Sequence, residues 1–149
     1  MSILEFITAL EEIFKAWFKK PIPPVVPPHI SKITPWALAI QHQEGGKIQD
    51  RNTRNHNAGN LKFTPYTKSL GALKADSGNF CIFATYDAGF KALTQFLRDA
   101  CTDKLASYRS TMTLDHFTTI YAVPPNKNYV KGVAKDLGVE ITVQIKDLL

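Results

Sequence analysis

The chain reads as a mainly helical α+β domain with a small β-hairpin or sheet, preceded by an N-terminal amphipathic helix. Three observations predict this. Apolar residues recur at helical spacing in several capped segments, two short β-prone runs flank a glycine-containing stretch, and a proline-rich segment separates the first twenty residues from the rest. With 149 residues and 44% hydrophobic content, the chain can fill one core but not two.

Residues 1–20 place Ile3, Leu4, Phe6, Ile7, Leu10, Ile13, Phe14, Trp17 and Phe18 at helical spacing, with Glu5, Glu11, Glu12, Lys15 and Lys19 on the other side. The stretch is too short and too interrupted by glutamates for a membrane span, and it lacks the basic start and cleavage site of a signal peptide. Its apolar face needs a partner: a groove on its own domain, a second copy, another protein or a lipid interface. Self-association or docking to protein or membrane through residues 3–18 is therefore among the expectations. Residues 21–33 form a linker, since five of the nine prolines fall between Pro21 and Pro28 and favour a semi-rigid extended spacer. The folded domain is expected over residues 34–149.

Thr34 is a good N-cap and Pro35 suits the first helical position, which predicts a helix over Pro35–Glu44. Glu44 falls on the same stripe as Ile40 and Ala37, so it is expected to start buried. Gly45 and Gly46 supply the left-handed residue that ends many helices, leaving Glu44 at the negative end of the helix dipole. Burial and dipole both disfavour a carboxylate, so a raised pKa and a general-acid role are expected of Glu44. The alternative is a glutamate that simply points to water.

Residues 51–61 hold four asparagines in a span too polar and glycine-marked for a helix or central strand, and are expected to form a structured polar loop. Asparagine tolerates left-handed backbone and its amide both donates and accepts, which suits a wall that binds the amides and hydroxyls of a sugar; ordinary turn chemistry is the alternative. Downstream, Leu61-Lys62-Phe63 and Phe80-Cys81-Ile82-Phe83 are the β-prone runs. Thr85 can cap a helix with Tyr86, Phe90, Leu93 and Leu97 on one face, Thr113 can cap another through Tyr121, and Gly138 can end a third containing Tyr129 and Val133.

These residues form an ordered set. Ala39-Ile40-Gln41-His42-Gln43-Glu44-Gly45, Arg54-Asn55-His56-Asn57-Ala58-Gly59-Asn60-Leu61-Lys62, Phe80–Phe83, Tyr86–Leu93 and Tyr121-Ala122-Val123-Pro124-Pro125 with Tyr129 together resemble lysozyme-like, lytic transglycosylase-type peptidoglycan-cleaving domains of bacteria and phages. The resemblance spans roughly residues 36–139. It departs from the family pattern at Ala58, where proline is usual, and at Val123, which reads as an insertion before the two prolines. What it implies is a lysozyme-like fold with Glu44 as the catalytic acid at the bond between N-acetylmuramic acid and N-acetylglucosamine. It further implies substrate contacts from Asn55, Asn57, Gly59, Asn60, Leu61, Phe83, Tyr121 and Tyr129, with Tyr129 close to Glu44. A hydrolase needs a second carboxylate roughly 5–9 Å from the first; Asp50 and Asp76 are the candidates and neither stands out. A lytic transglycosylase needs only one glutamate, because the sugar's 6-hydroxyl closes on the anomeric carbon. That reaction is favoured over a muramidase. The implied partner is peptidoglycan at the bacterial cell wall, reached through a phage lysis or virion route or by another form of export.

Other chemistries leave little trace. His29, His42, His56 and His116 are scattered without metal-ligand spacing, so no metal and no cofactor are expected. Cys81 and Cys101 sit in apolar settings, where cysteine behaves as a small hydrophobe. His56 reads as an occupant of its loop more than as a substrate contact. The net charge of +5 suits anionic surfaces, cell wall or nucleic acid. No tight basic cluster or nucleic-acid motif appears, so nucleic acid is not the expected partner. The competing readings are a nucleic-acid-binding module and an inert glycan-binding or structural protein.

Overall fold

A computed structural model describes residues 31–45, 50–122 and 125–149. The expected amphipathic helix and the proline-rich residues 21–30 lie outside the described residues. Within these, α1 (Ile33–Gln43), α2 (Arg51–Arg54), α3 (Pro65–Ser69), β1 (Lys74–Ala75), β2 (Cys81–Ile82), α4 (Tyr86–Cys101), α5 (Leu114–Tyr121) and α6 (Lys127–Leu137) follow in order, and a 3₁₀ turn, Ile145–Leu148, closes the chain. The architecture is mainly helical with one small antiparallel sheet.

Helix α1 starts two residues earlier than its sequence predicts. Its N-cap is Lys32, not Thr34, and no side chain caps it. The Lys32 N–H instead donates to the Leu148 carbonyl (2.9 Å), so the C-terminal 3₁₀ turn fixes where the helix begins. Pro35 is tolerated inside the first turn because the N–H it lacks has no intrahelical acceptor there. At the other end the Glu44 N–H still reaches the Ile40 carbonyl (2.9 Å), and Gly45 turns left-handed at φ +88° as expected.

The caps foreseen downstream form. Thr85 Oγ1 accepts from the Ala88 N–H and Thr113 Oγ1 from the His116 N–H, while Gly138 ends α6 at φ +63°. The span over residues 51–61 is not loop throughout, because Arg51–Arg54 makes one helical turn after Asp50. Buried Asn52 holds that turn: its amide donates to the Gly45 carbonyl and its own carbonyl accepts the Asn57 N–H (2.7 Å). The sheet also differs from expectation. Cys81–Ile82 pairs with Lys74–Ala75, whereas Leu61–Phe63 adds only the single bridge Lys62 to Phe80. The Asp76 carboxylate accepts the Gly78 and Phe80 N–H groups (both 2.8 Å), with Asn79 left-handed at φ +62°, so the turn between the strands sets the pairing.

The core lies where α1, α4, α5, α6 and the 3₁₀ turn meet. Ile33, Trp36 and Ile40, Leu93 and Leu97, Leu114 and Phe117, Val133 and Ile145 are fully enclosed there. Full burial of each such large apolar side chain contributes roughly 1.5–3 kcal/mol. Trp36 meets Phe117 edge to face at 4.7 Å. Helix α1 packs chiefly against α6 and next against α4, which places its C-terminal end, and Glu44 with it, beside α6. On α4, Leu93 and Leu97 are fully enclosed while Tyr86 and Phe90 are half-buried.

Candidate functional site

Glu44 follows the last turn of α1 and is half-buried, not enclosed. Both carboxylate oxygens are held: Tyr129 Oη on α6 donates to Oε1 at 2.8 Å, and Asn60 Nδ2 donates to Oε2 at 2.7 Å. Burial, then the neighbouring Tyr121 and Glu44, push the Tyr129 hydroxyl far above its ordinary pKa, so it stays protonated and remains a donor. The sequence puts Tyr129 in reach because Asn126 caps α6, accepting the Asn128 N–H, one turn before the tyrosine.

Asn60 is delivered by a strained, tightly packed loop. It adopts φ +48°, a left-handed conformation asparagine tolerates better than most residues. Before it, the Gly59 carbonyl accepts the Tyr121 hydroxyl. A Cβ at Gly59 would stand 2.6 Å from Leu93 Cδ1, so only glycine lets the loop lie on α4. Inside the loop, fully buried Asn57 donates to the carbonyls of Leu61 (3.0 Å) and Cys81 (3.1 Å) and accepts the Leu61 N–H (2.9 Å). These bonds tie the loop to β2.

Glu44 opens onto a cleft of about 820 Å³. Gly59, Asn60, Leu61, Tyr121 and Tyr129 line it. Gln43, Arg51, Lys62, Phe80, Tyr66, Phe96, Tyr108 and Asn126 join them. Among the described residues lining the cleft, Glu44 is the sole carboxylic acid. Such a group, with polar and aromatic walls around it, can give a proton to, or take one from, a ligand lying in the cleft.

No family model, curated protein or solved structure matches the chain.

Of the residues named from sequence, Glu44, Gly59, Asn60, Leu61, Tyr121 and Tyr129 come together in the cleft, and Asn55, Asn57 and Phe83 do not. Asn55 is buried with its amide on Asp76 (2.8 Å) and its carbonyl on the Phe83 N–H (2.9 Å), and Phe83 is a core side chain. All three build the wall from behind. Tyr121 faces the cleft but has its hydroxyl committed to Gly59, so it holds the loop in place. His56 donates or accepts at the Phe83 carbonyl (3.1 Å) and fills its loop. His42 is exposed and pairs with Asp136 on α6 at 2.7 Å.

Neither candidate second carboxylate lines the cleft. Asp76 is occupied by its turn, where the Phe80 N–H above all holds its carboxyl below the usual carboxylate range. Asp50 lies against Gly45, where an added Cβ would meet its Oδ2 at 2.6 Å. Both cysteines are buried, and burial pushes the Cys101 thiol up to about 12. Sequence reasoning missed Gln43, Arg51, Lys62 and Phe80. The available signal was that Arg51 and Lys62 bracket the asparagine loop.

Proposed function

We propose that the protein cleaves the β-1,4 bond between N-acetylmuramic acid and N-acetylglucosamine in peptidoglycan as a lytic transglycosylase, with Glu44 as its single acid and base. The observation that carries this reading is Glu44 itself, clasped by Asn60 and Tyr129 in a cleft whose other described lining residues include no carboxylate. The order of motifs described above, which resembles that family, supports it too.

In this reaction protonated Glu44 gives its proton to the glycosidic oxygen as the C1–O bond breaks. The 6-hydroxyl of the muramyl ring then bonds to C1 and returns its proton to the Glu44 carboxylate. No water is consumed, so no second carboxylate is needed to activate one. Tyr129 and Asn60 donate to the carboxylate formed midway, a stabilisation present when charge develops. Asp50 and Asp76, the groups a muramidase would use, are not among the described residues that line the cleft, which favours the transglycosylase over the hydrolase.

Digestion of purified peptidoglycan by the intact protein and by Glu44→Gln, with mass spectrometry of the soluble products, tests this. Products ending in 1,6-anhydro-muramic acid with the intact protein and none with the variant are expected. Reducing ends would make the enzyme a muramidase. No products from either protein would overturn the enzymatic reading.

A further inference from the structure

We propose that Asp136 on α6 is a positioning residue for Glu44: by holding His42 and Gln43 it fixes the last turn of α1 in the rotation that brings Glu44 onto Tyr129. The contact is independent of the glycan-cleaving reading above, and its effect on turnover rests on that reading.

Tyr129, Gly132 and Asp136 stand at i, i+3 and i+7 on α6, so they share one face of that helix. That face meets three consecutive residues at the end of α1. Tyr129 Oη donates to Glu44 Oε1 at 2.8 Å, and Asp136 Oδ2 accepts from His42 Nδ1 at 2.7 Å and from Gln43 Nε2 at 3.2 Å. Between them Gly132 leaves room for the Gln43 amide, which an added Cβ would strike. The His42 hydrogen bond above all holds the Asp136 carboxyl below the usual carboxylate range, and an ionised carboxylate only accepts, so both α1 donors are turned toward it. Glu44 caps α1 with helical backbone, φ −74° and ψ −2°. At about 3.6 residues per turn, His42 and Glu44 therefore leave the helix about 200° apart. With α6 bonded to both flanks, a rotation of α1 in either direction lengthens one of the two bonds. The enclosed side chains that seat α1, Trp36 and Ile40, lie one turn or more before Glu44, so the last turn meets α6 through these polar contacts. His42 is 73% exposed, and exposed ion pairs add little to the stability of a fold. Their effect on geometry is larger, because a misplacement of about 1 Å near a reacting centre can slow a step about a hundredfold. Neither His42 nor Asp136 is among the described residues that line the cleft, so a change at Asp136 reaches a ligand through Gln43 or Glu44.

NMR of the full-length protein with tyrosine isotope-labelled at Cζ tests the inference without any substrate. The Tyr129 resonance, assigned by its loss in Tyr129→Phe, reports the hydrogen bond to Glu44, and Glu44→Ala supplies its unbonded position. Asp136→Ala is expected to move that resonance toward the unbonded position while the thermal melt stays where it is. An unmoved resonance overturns the proposal. Kinetics on soluble glycan strands then read the consequence: Asp136→Ala should lower kcat about tenfold and leave KM unchanged, as expected for lost alignment without lost binding. In a Tyr129→Phe background the same change should cost no further rate, because the bond it sets is already gone. A fall in rate that multiplies in full with that of Tyr129→Phe, or a rise in KM with kcat kept, also overturns it. No digestion by the intact protein overturns the glycan-cleaving reading instead, and the resonance still decides whether Asp136 sets the clasp.

Discussion

At Glu44 a carboxylic acid is held by two donors of different kinds, a tyrosine on a helix and an asparagine on a loop. Tyr129 cannot easily exchange its role, because its hydroxyl stays protonated. Removing that oxygen in Tyr129→Phe deletes one hydrogen bond to a charged group, worth about 1.5–3 kcal/mol. Peptidoglycan release by the variant should fall roughly tenfold to a hundredfold, at a rate each 1.4 kcal/mol divides by ten. An unchanged rate would mean that Tyr129 does not stabilise the carboxylate during reaction. Asn60 differs in that its Oδ1 is buried with no partner among the described residues, so its amide faces Glu44 as a donor and leaves an acceptor idle. Glu44 was legible in the sequence because a helix end, two glycines and an apolar stripe are local signals. Its clasp was not legible from spacing, since neither partner lies on α1, and only the resemblance pointed to Tyr129.

Between elements, glycine decides how closely backbones meet. A Cβ at Gly89 would fall 1.8 Å from the His56 carbonyl oxygen, so α4 touches the asparagine loop backbone to backbone. Gly89→Ala must push loop and helix apart, at a cost of about 1–3 kcal/mol or more for forced overpacking. The urea midpoint should drop accordingly, and an unchanged midpoint would show that the loop does not rest on α4. Thr85, Thr113 and Gly138 were readable as helix ends because each acts on backbone within a few residues of itself. Thr34 misled because the start of α1 is set from the far end of the chain, by Leu148. Lys74–Ala75 has no β-branched or aromatic residue and pairs only because the Asp76 turn aims it at β2, so no strand pattern announced it.

For the molecule as a whole, one buried carboxylate ties the cleft wall to the core. Asp99 on α4 accepts from Tyr66 Oη (2.7 Å) and Gln95 Nε2 (2.9 Å), with Lys104 Nζ at 3.3 Å. Burial alone would raise its pKa, but these hydrogen bonds and the Lys104 charge outweigh burial and hold it below the ordinary value. The folded state therefore binds the Asp99 proton less tightly than the unfolded chain does. Its contribution to stability is complete above the unfolded carboxylate value, about 3.9, and is lost as pH falls through the lower folded value. Asp99→Asn should accordingly lose less stability than the intact protein between pH 7 and pH 3 in urea titrations. An equal loss in both would remove Asp99 from the acid response. That network joins Tyr66 to Asp99 across 33 residues, which is why composition and spacing did not reveal it. The Glu44 to Tyr129 bond likewise joins positions 85 residues apart. During synthesis the acid and Asn60 leave the ribosome well before Tyr129, so a chain cut short before α6 carries Glu44 without its tyrosine donor. On the glycan-cleaving reading proposed above, an N-terminal fragment that stops before α6 would lack the tyrosine donor and would be inert toward peptidoglycan.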